Sequence, residues 1–137
     1  LEFLVAGTPV SLQGKRASID RWKNEVADAA QRRIQSVVDW TYLQPEPLAL
    51  TIFYFPVAAM GGDVDNIVKP ILDALIGVVY VDDQIVERVT VQKFEPTASW
   101  SFANPSEQLA AALDLASIES LPVVYVHVVN DLNWRRL

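Results

Sequence analysis

With 137 residues, 51% of them apolar, the chain fits one domain able to bury a core of its own. It carries no cysteine, which excludes disulfides, thiolate metal sites and cysteine nucleophiles and agrees with a reducing, cytoplasmic setting. The formal net charge of −6 argues against a generic nucleic-acid binder, and no apolar run reaches the length of a membrane span.

The opening residues, Leu1 to Ala6, lack the length and basic lead of a signal peptide. Phe3 to Ala6 is a short apolar run stopped by Gly7-Thr8-Pro9 and reads as a first strand. Val10 to Ala17 reads as a loop. A helix is expected from about Ser18 or Asp20, either of which can serve as N-cap. Trp22, Val26, Ala29, Ala30 and Ile34 recur at helical spacing and form its buried stripe. Between Lys15 and Arg33 stand six basic residues, Lys15, Arg16, Arg21, Lys23, Arg32 and Arg33, against only Asp20, Glu25 and Asp28. Charges that simply solvate a helix face are the plainer account of that run.

Leu48 to Phe55 predicts a strand covered on both faces, with Leu48, Leu50, Ile52 and Tyr54 on one side and Thr51, Phe53 and Phe55 on the other. Pro56 to Gly62 is a loop whose Gly61-Gly62 pair permits a tight bend. A second helix is expected from about Asn66 to Ile76, with Pro70 in its first or second turn and Gly77 as its stop. Asp82-Asp83 turns the chain into a long strand over Ile85 to Phe94. Ser106 or Pro105 opens a third helix with Leu109, Ala112, Leu113 and Ala116 inward, and Pro122 to Val129 reads as a central strand. The lone His127 falls in that strand and reads as a core or edge histidine. Trp22, Trp40, Trp100 and Trp134 are scattered as packing residues. Trp100 and Phe102 could alternatively stack on bases or meet a partner copy, and Asn133-Trp134-Arg135-Arg136 could touch phosphates or form a frayed tail.

Chemistry concentrates in Gly62-Asp63-Val64-Asp65-Asn66-Ile67-Val68-Lys69 and Val81-Asp82-Asp83-Gln84, at the two ends of the second helix. Crowded carboxylates repel unless a cation joins them, and an oxygen-only set suits a hard divalent ion, Mg²⁺ or Mn²⁺. Asp63 and Asp65, two apart in an extended segment, should point the same way. Lys69 follows one helical turn after Asp65, and Asp73 one turn after that. If the next strand starts beside the previous one, Asp82 or Asp83 can join them. Metal-bound carboxylates beside a lysine suit phosphodiester hydrolysis without a covalent nucleophile, the lysine neutralising the phosphate. The alternative assigns Asp63 or Asp65 to helix capping and Asp82-Asp83 to a turn. A calcium loop is excluded, because Val68 and Ala74 stand where that loop needs Gly and Glu.

The stretch from Asp63 to Asp83 resembles the signature of the RusA family of Holliday junction resolvases. The resemblance rests on Asp63-x-Asp65-Asn66, on Lys69, on Leu72-Asp73-Ala74-Leu75 and on Asp82-Asp83-Gln84 followed by an aliphatic residue. Gly7-x-Pro9, a basic loop, and a helix with Trp22 and Val26 extend it toward the N-terminus. It implies an α+β fold with a four-stranded mixed sheet packed against helices, here with an inserted loop and helix over residues 95–121. It also implies a homodimeric, Mg²⁺-dependent endonuclease that nicks four-way DNA junctions symmetrically, in recombination and repair, leaving 5′-phosphate and 3′-hydroxyl ends. The metal-binding catalytic residues implied are Asp63, Asp65 and Asp83, with Lys69 as catalytic lysine and Asp73, Asp82 and Asn66 in support. Lys15, Arg16, Arg21 and Lys23 are then candidate DNA contacts. Two other readings compete: a non-enzymatic DNA-structure-binding module of the same fold working through the helix from Ser18 to Val37, and a metal phosphoesterase for small substrates.

Overall fold

The computed structural model describes residues 1–37, 40, 44–59, 62–131 and 133. In chain order these form β1 (Glu2–Ala6), α1 (Arg16–Ser36), β2 (Leu48–Phe55), α2 (Asp65–Ala74), β3 (Val86–Lys93), α3 (Glu107–Ser117) and β4 (Val123–Val129). The strands make one mixed sheet in the order β1-β4-β2-β3. β4 runs antiparallel to both β1 and β2, and β3 runs parallel to β2. A parallel neighbour requires a crossover, and α2 supplies it. The fold is the expected α+β arrangement, with β4 and β2 central.

The two-residue period of the strands sorts the core into two layers. Leu48, Leu50, Ile52 and Tyr54 of β2 and Val124, Val126 and Val128 of β4 face one side, and all are buried. There they meet Trp22, Val26, Ala30 and Ile34 of α1 and Ile67, Ile71 and Leu75 around α2. The opposite side holds Phe55, Val123 and Tyr125, with Leu109 and Ala112 of α3. Residues 95–121, read from the sequence as an insertion, therefore cover the second face of the sheet. Trp100 and Phe102 belong to this layer. Trp100 packs on Phe55 at 5.3 Å and Phe102 on Phe94 at 5.1 Å between ring centroids. Their rings thus pack within the chain, and both side chains stay partly exposed.

Local rules explain most boundaries, and one departs from expectation. α1 begins at Arg16, ahead of Ser18 and Asp20, and neither of those residues caps it. The Gly14 N–H bonds the Ser11 carbonyl at 2.8 Å and the Ile19 N–H bonds Lys15 at 2.9 Å, so the turn winds directly into helix without a side-chain cap. Ser106 does cap α3, accepting the Leu109 N–H at 3.2 Å. Its hydroxyl also donates to Glu2 Oε1 at 2.5 Å, and the Tyr125 hydroxyl donates to the same oxygen. Glu2 thus ties β1 to the start of α3. His127 lies across from Glu2 in the β1–β4 register, half-buried, as a strand histidine. Gly77 follows the helix end with φ +81, a conformation that favours glycine, and its N–H bonds the Tyr80 carbonyl at 2.7 Å. Gly61, Trp134, Arg135 and Arg136 lie outside the described residues. Among the described residues no helix is long and apolar enough to cross a membrane.

Candidate active site

The crossover from β2 to β3 carries every acidic candidate. Asp63 ends the loop after β2 and Asp65 opens α2, and both are exposed to solvent. Between them Val64 already has helical backbone angles, φ −63 and ψ −32. The pair is therefore not extended, and strand alternation does not put its two side chains on one face. Asp65 instead sits in the first turn of α2, where free N–H groups and the helix dipole favour a carboxylate.

Lys69 is the hub of the ion pairs at this end. Its Nζ lies 2.9 Å from Asp73 Oδ1 and 2.6 Å from Asp83 Oδ2. Hydrogen bonds that it donates to Asp83 and then to Asp73 hold the Lys69 ammonium well above the usual lysine range. The same Lys69 bond holds the Asp83 carboxyl below its ordinary value, against a smaller opposing effect of burial. Asp82 does a different job: its side chain accepts the Gln84 N–H at 3.0 Å and caps the single 3-10 turn Asp83–Ile85. The expected turn role of Asp82 is what the geometry gives it, and Asp83 is the member of the pair that reaches α2.

Topology sets the spacing of this cluster. Parallel pairing places Val86 opposite Leu48, the beginning of β2, whereas Asp63 follows the end of β2. The next strand does start beside the previous one, but at its far end. Asp83 consequently meets the middle of α2, at Lys69 and Asp73, and Lys69 stands one helical turn from Asp65. Among the described residues no group of three Asp, Glu, His or Cys side chains is placed to hold a metal ion. The donor chemistry fits a hard divalent cation, and the Lys69 ammonium between Asp73 and Asp83 shows that these carboxylates attract positive charge. The fit is thus one of ligand type, with Asp63, Asp65 and Asp83 spread along one turn and more of helix rather than closed round a point.

Two residues that sequence reasoning passed over contribute here. Tyr80 is fully buried beneath the acidic residues, and its hydroxyl donates to the Leu72 carbonyl at 2.6 Å. Burial first, then the charges of Asp83, Asp73 and Asp82, push its phenol far above the ordinary range, so it stays a neutral donor. The signal was a lone aromatic in the apolar run before Asp82. Tyr54, next to last in β2, lies under a cleft of about 220 Å³ that Thr8, Ser11, Asp63 and Asn66 also line. Burial pushes the Tyr54 phenol up, and a hydrogen bond with Thr8 opposes that. Of the basic candidates, Lys15, Arg16 and Arg21 are exposed on the loop and first turns of α1, and Lys23 is half-buried. None of them reaches the acidic cluster through an ion pair among the described residues.

Residues 13–98 match the family model described as endodeoxyribonuclease RusA, a span from the turn before α1 to the loop after β3. No match was found among curated proteins.

Proposed function

The chain belongs to the RusA endodeoxyribonuclease family, and on that premise we propose that it is a divalent-metal-dependent endonuclease resolving Holliday junctions by paired, symmetric nicks. The observation that carries this reading is the Lys69 bridge, which brings the Asp83 turn onto the helix that Asp65 opens, two residues after Asp63, all within the family match. Asp63, Asp65 and Asp83 would hold Mg²⁺, or Mn²⁺ in its place, through carboxylate oxygens. Such an ion supplies Lewis-acid stabilisation of phosphate charge and makes water a better nucleophile at neutral pH. Lys69, exposed enough to reach substrate, places its ammonium against the charge that develops on the phosphate. Asp73 orients that ammonium from one turn below, Asp82 fixes the turn that presents Asp83, and Asn66 lines the adjoining cleft.

A four-way junction has near two-fold symmetry, so a homodimer would present one such site to each of two opposed strands. The unit is residues 1–137 as one endonuclease domain, working in the cytoplasm in DNA recombination and repair. The absence of a closed three-carboxylate group among the described residues favours one other reading, a DNA-structure-binding module of the same fold with little or no cleavage. Incubating a labelled synthetic four-way junction with the protein and Mg²⁺ separates the two: symmetric nicks support the resolvase, and binding without nicks supports the module.

A further inference from the structure

A second cleft, of about 380 Å³, lies beside the one at Asp63, and Thr8 lines both. The first holds Ser11, Tyr54, Asp63 and Asn66. The second holds Gly7, Ser18, Arg21 and Glu25, with Trp22. The backbone keeps this shared wall in place. Leu12 N–H bonds the Asn66 carbonyl at 2.9 Å, which pins the Gly7–Gly14 loop to the start of α2, and Gly7 N–H bonds the Pro122 carbonyl at 2.8 Å at the other end. Gly7 is the residue that lets α1 approach. A Cβ there would lie 3.2 Å from the Trp22 ring, at a φ of +149.

We propose that these two clefts form one track for the sugar–phosphate backbone of the DNA strand being cut, running from Asp63 over Thr8 to Arg21. This rests on the endonuclease reading and adds the path of the substrate to it. The first cleft is largely apolar, with Pro9 and Ile67 in its wall, and its few polar groups suit that occupant. The Ser11 hydroxyl and the Asn66 amide are donors to phosphate and sugar oxygens, the Thr8 hydroxyl already pairs with Tyr54, and Arg21 is a guanidinium with no ion-pair partner among the described residues. The contacts are to backbone, so they position the strand without reading its sequence. Glu25, one helical turn after Arg21 in the same cleft, repels phosphate and sets the sign of a second variant. Arg32 lies about 16 Å farther along α1, in a separate depression with Phe3 and Ser36, off the track.

The test is fluorescence anisotropy of a labelled four-way junction in EDTA, with the salt concentration varied, for wild type, Arg21→Gln, Glu25→Gln and Arg32→Gln. Losing one phosphate contact should raise Kd roughly eightfold at 0.1 M salt and flatten the slope of log K against log salt by about 0.9. That result for Arg21→Gln, tighter binding for Glu25→Gln and wild-type behaviour for Arg32→Gln would support the track. Wild-type binding with Arg21→Gln and Glu25→Gln both unchanged would overturn it and leave the endonuclease reading standing. No junction binding by the wild type would overturn both.

Discussion

The backbone N–H of Leu12 donates to the carbonyl of Asn66 at 2.9 Å, across 54 positions of chain. That carbonyl is free because Pro70, four residues later inside α2, has no N–H to give it. A proline that weakens its own helix therefore provides the anchor for the loop that walls the candidate site. Pro70→Ala would restore the helical donor and make it compete with Leu12. The expected outcome is faster hydrogen exchange at the Leu12 amide with global stability unchanged or raised, read by exchange mass spectrometry and thermal unfolding. Unchanged protection at Leu12 would show that the loop is held by other contacts.

A substitution at Lys69 tests the proposed chemistry apart from stability. Its pairs with Asp73 and Asp83 are half-exposed, with 49% of the lysine side chain accessible, so they are screened. Lys69→Met should cost less than about 1 kcal/mol of stability. On the proposed chemistry it should lower the cleavage rate by about 100-fold or more, because charge on the transferring phosphate loses its counter-charge. Denaturant titration beside single-turnover cleavage measures the two effects separately. A large stability loss with little change in rate would reverse the assignment.

Glu2 sets an acid limit on the second face of the sheet. Burial pushes its carboxyl up, but hydrogen bonds from Ser106 and Tyr125 outweigh that and leave it below the usual value. A depressed carboxyl stabilises the fold above the unfolded-state value, about 4.3, and that contribution is lost as pH falls through the lower, folded-state value. Acid titration should therefore release the α3 layer, seen as a change in Trp100 emission below about pH 4.3 ahead of global unfolding. Glu2→Ala should abolish this step and cost about 1–3 kcal/mol by stranding the Ser106 and Tyr125 hydroxyls.

Trp100 supplies a contrasting case. Its ring is half-buried against Phe55, Phe94 and Phe102. Trp100→Ala should destabilise by about 2–3 kcal/mol, below the range for a fully buried aromatic, and leave junction affinity unchanged. A drop in affinity without a loss of stability would return the residue to DNA contact.

Much of this architecture is legible in the sequence because strands and helices carry different periods. The alternation in Leu48 to Phe55 assigns both faces of β2 correctly, and the Trp22 to Ile34 stripe marks the buried side of α1. Capping rules locate α3 through Ser106 but mislead at α1, where the Ser11–Gly14 turn enters the helix without a side-chain cap. Spacing alone could not place Asp83. Whether a crossover returns to the near or the far end of β2 depends on strand direction, and the β2–β3 pairing is parallel. Local patterns also say nothing of Leu12 and Asn66, or of Glu2 and Ser106, which meet only in the assembled fold.

On the proposed function, the acidic end of α2 cuts branched DNA with a divalent ion. The most direct test is cleavage of a synthetic four-way junction in Mg²⁺ and in EDTA, comparing wild type with Asp65→Asn. Paired, symmetric nicks are expected that disappear both in EDTA and in the Asp65→Asn protein, while the variant still binds the junction. Nicking that survives EDTA, or that Asp65→Asn leaves intact, would contradict that function.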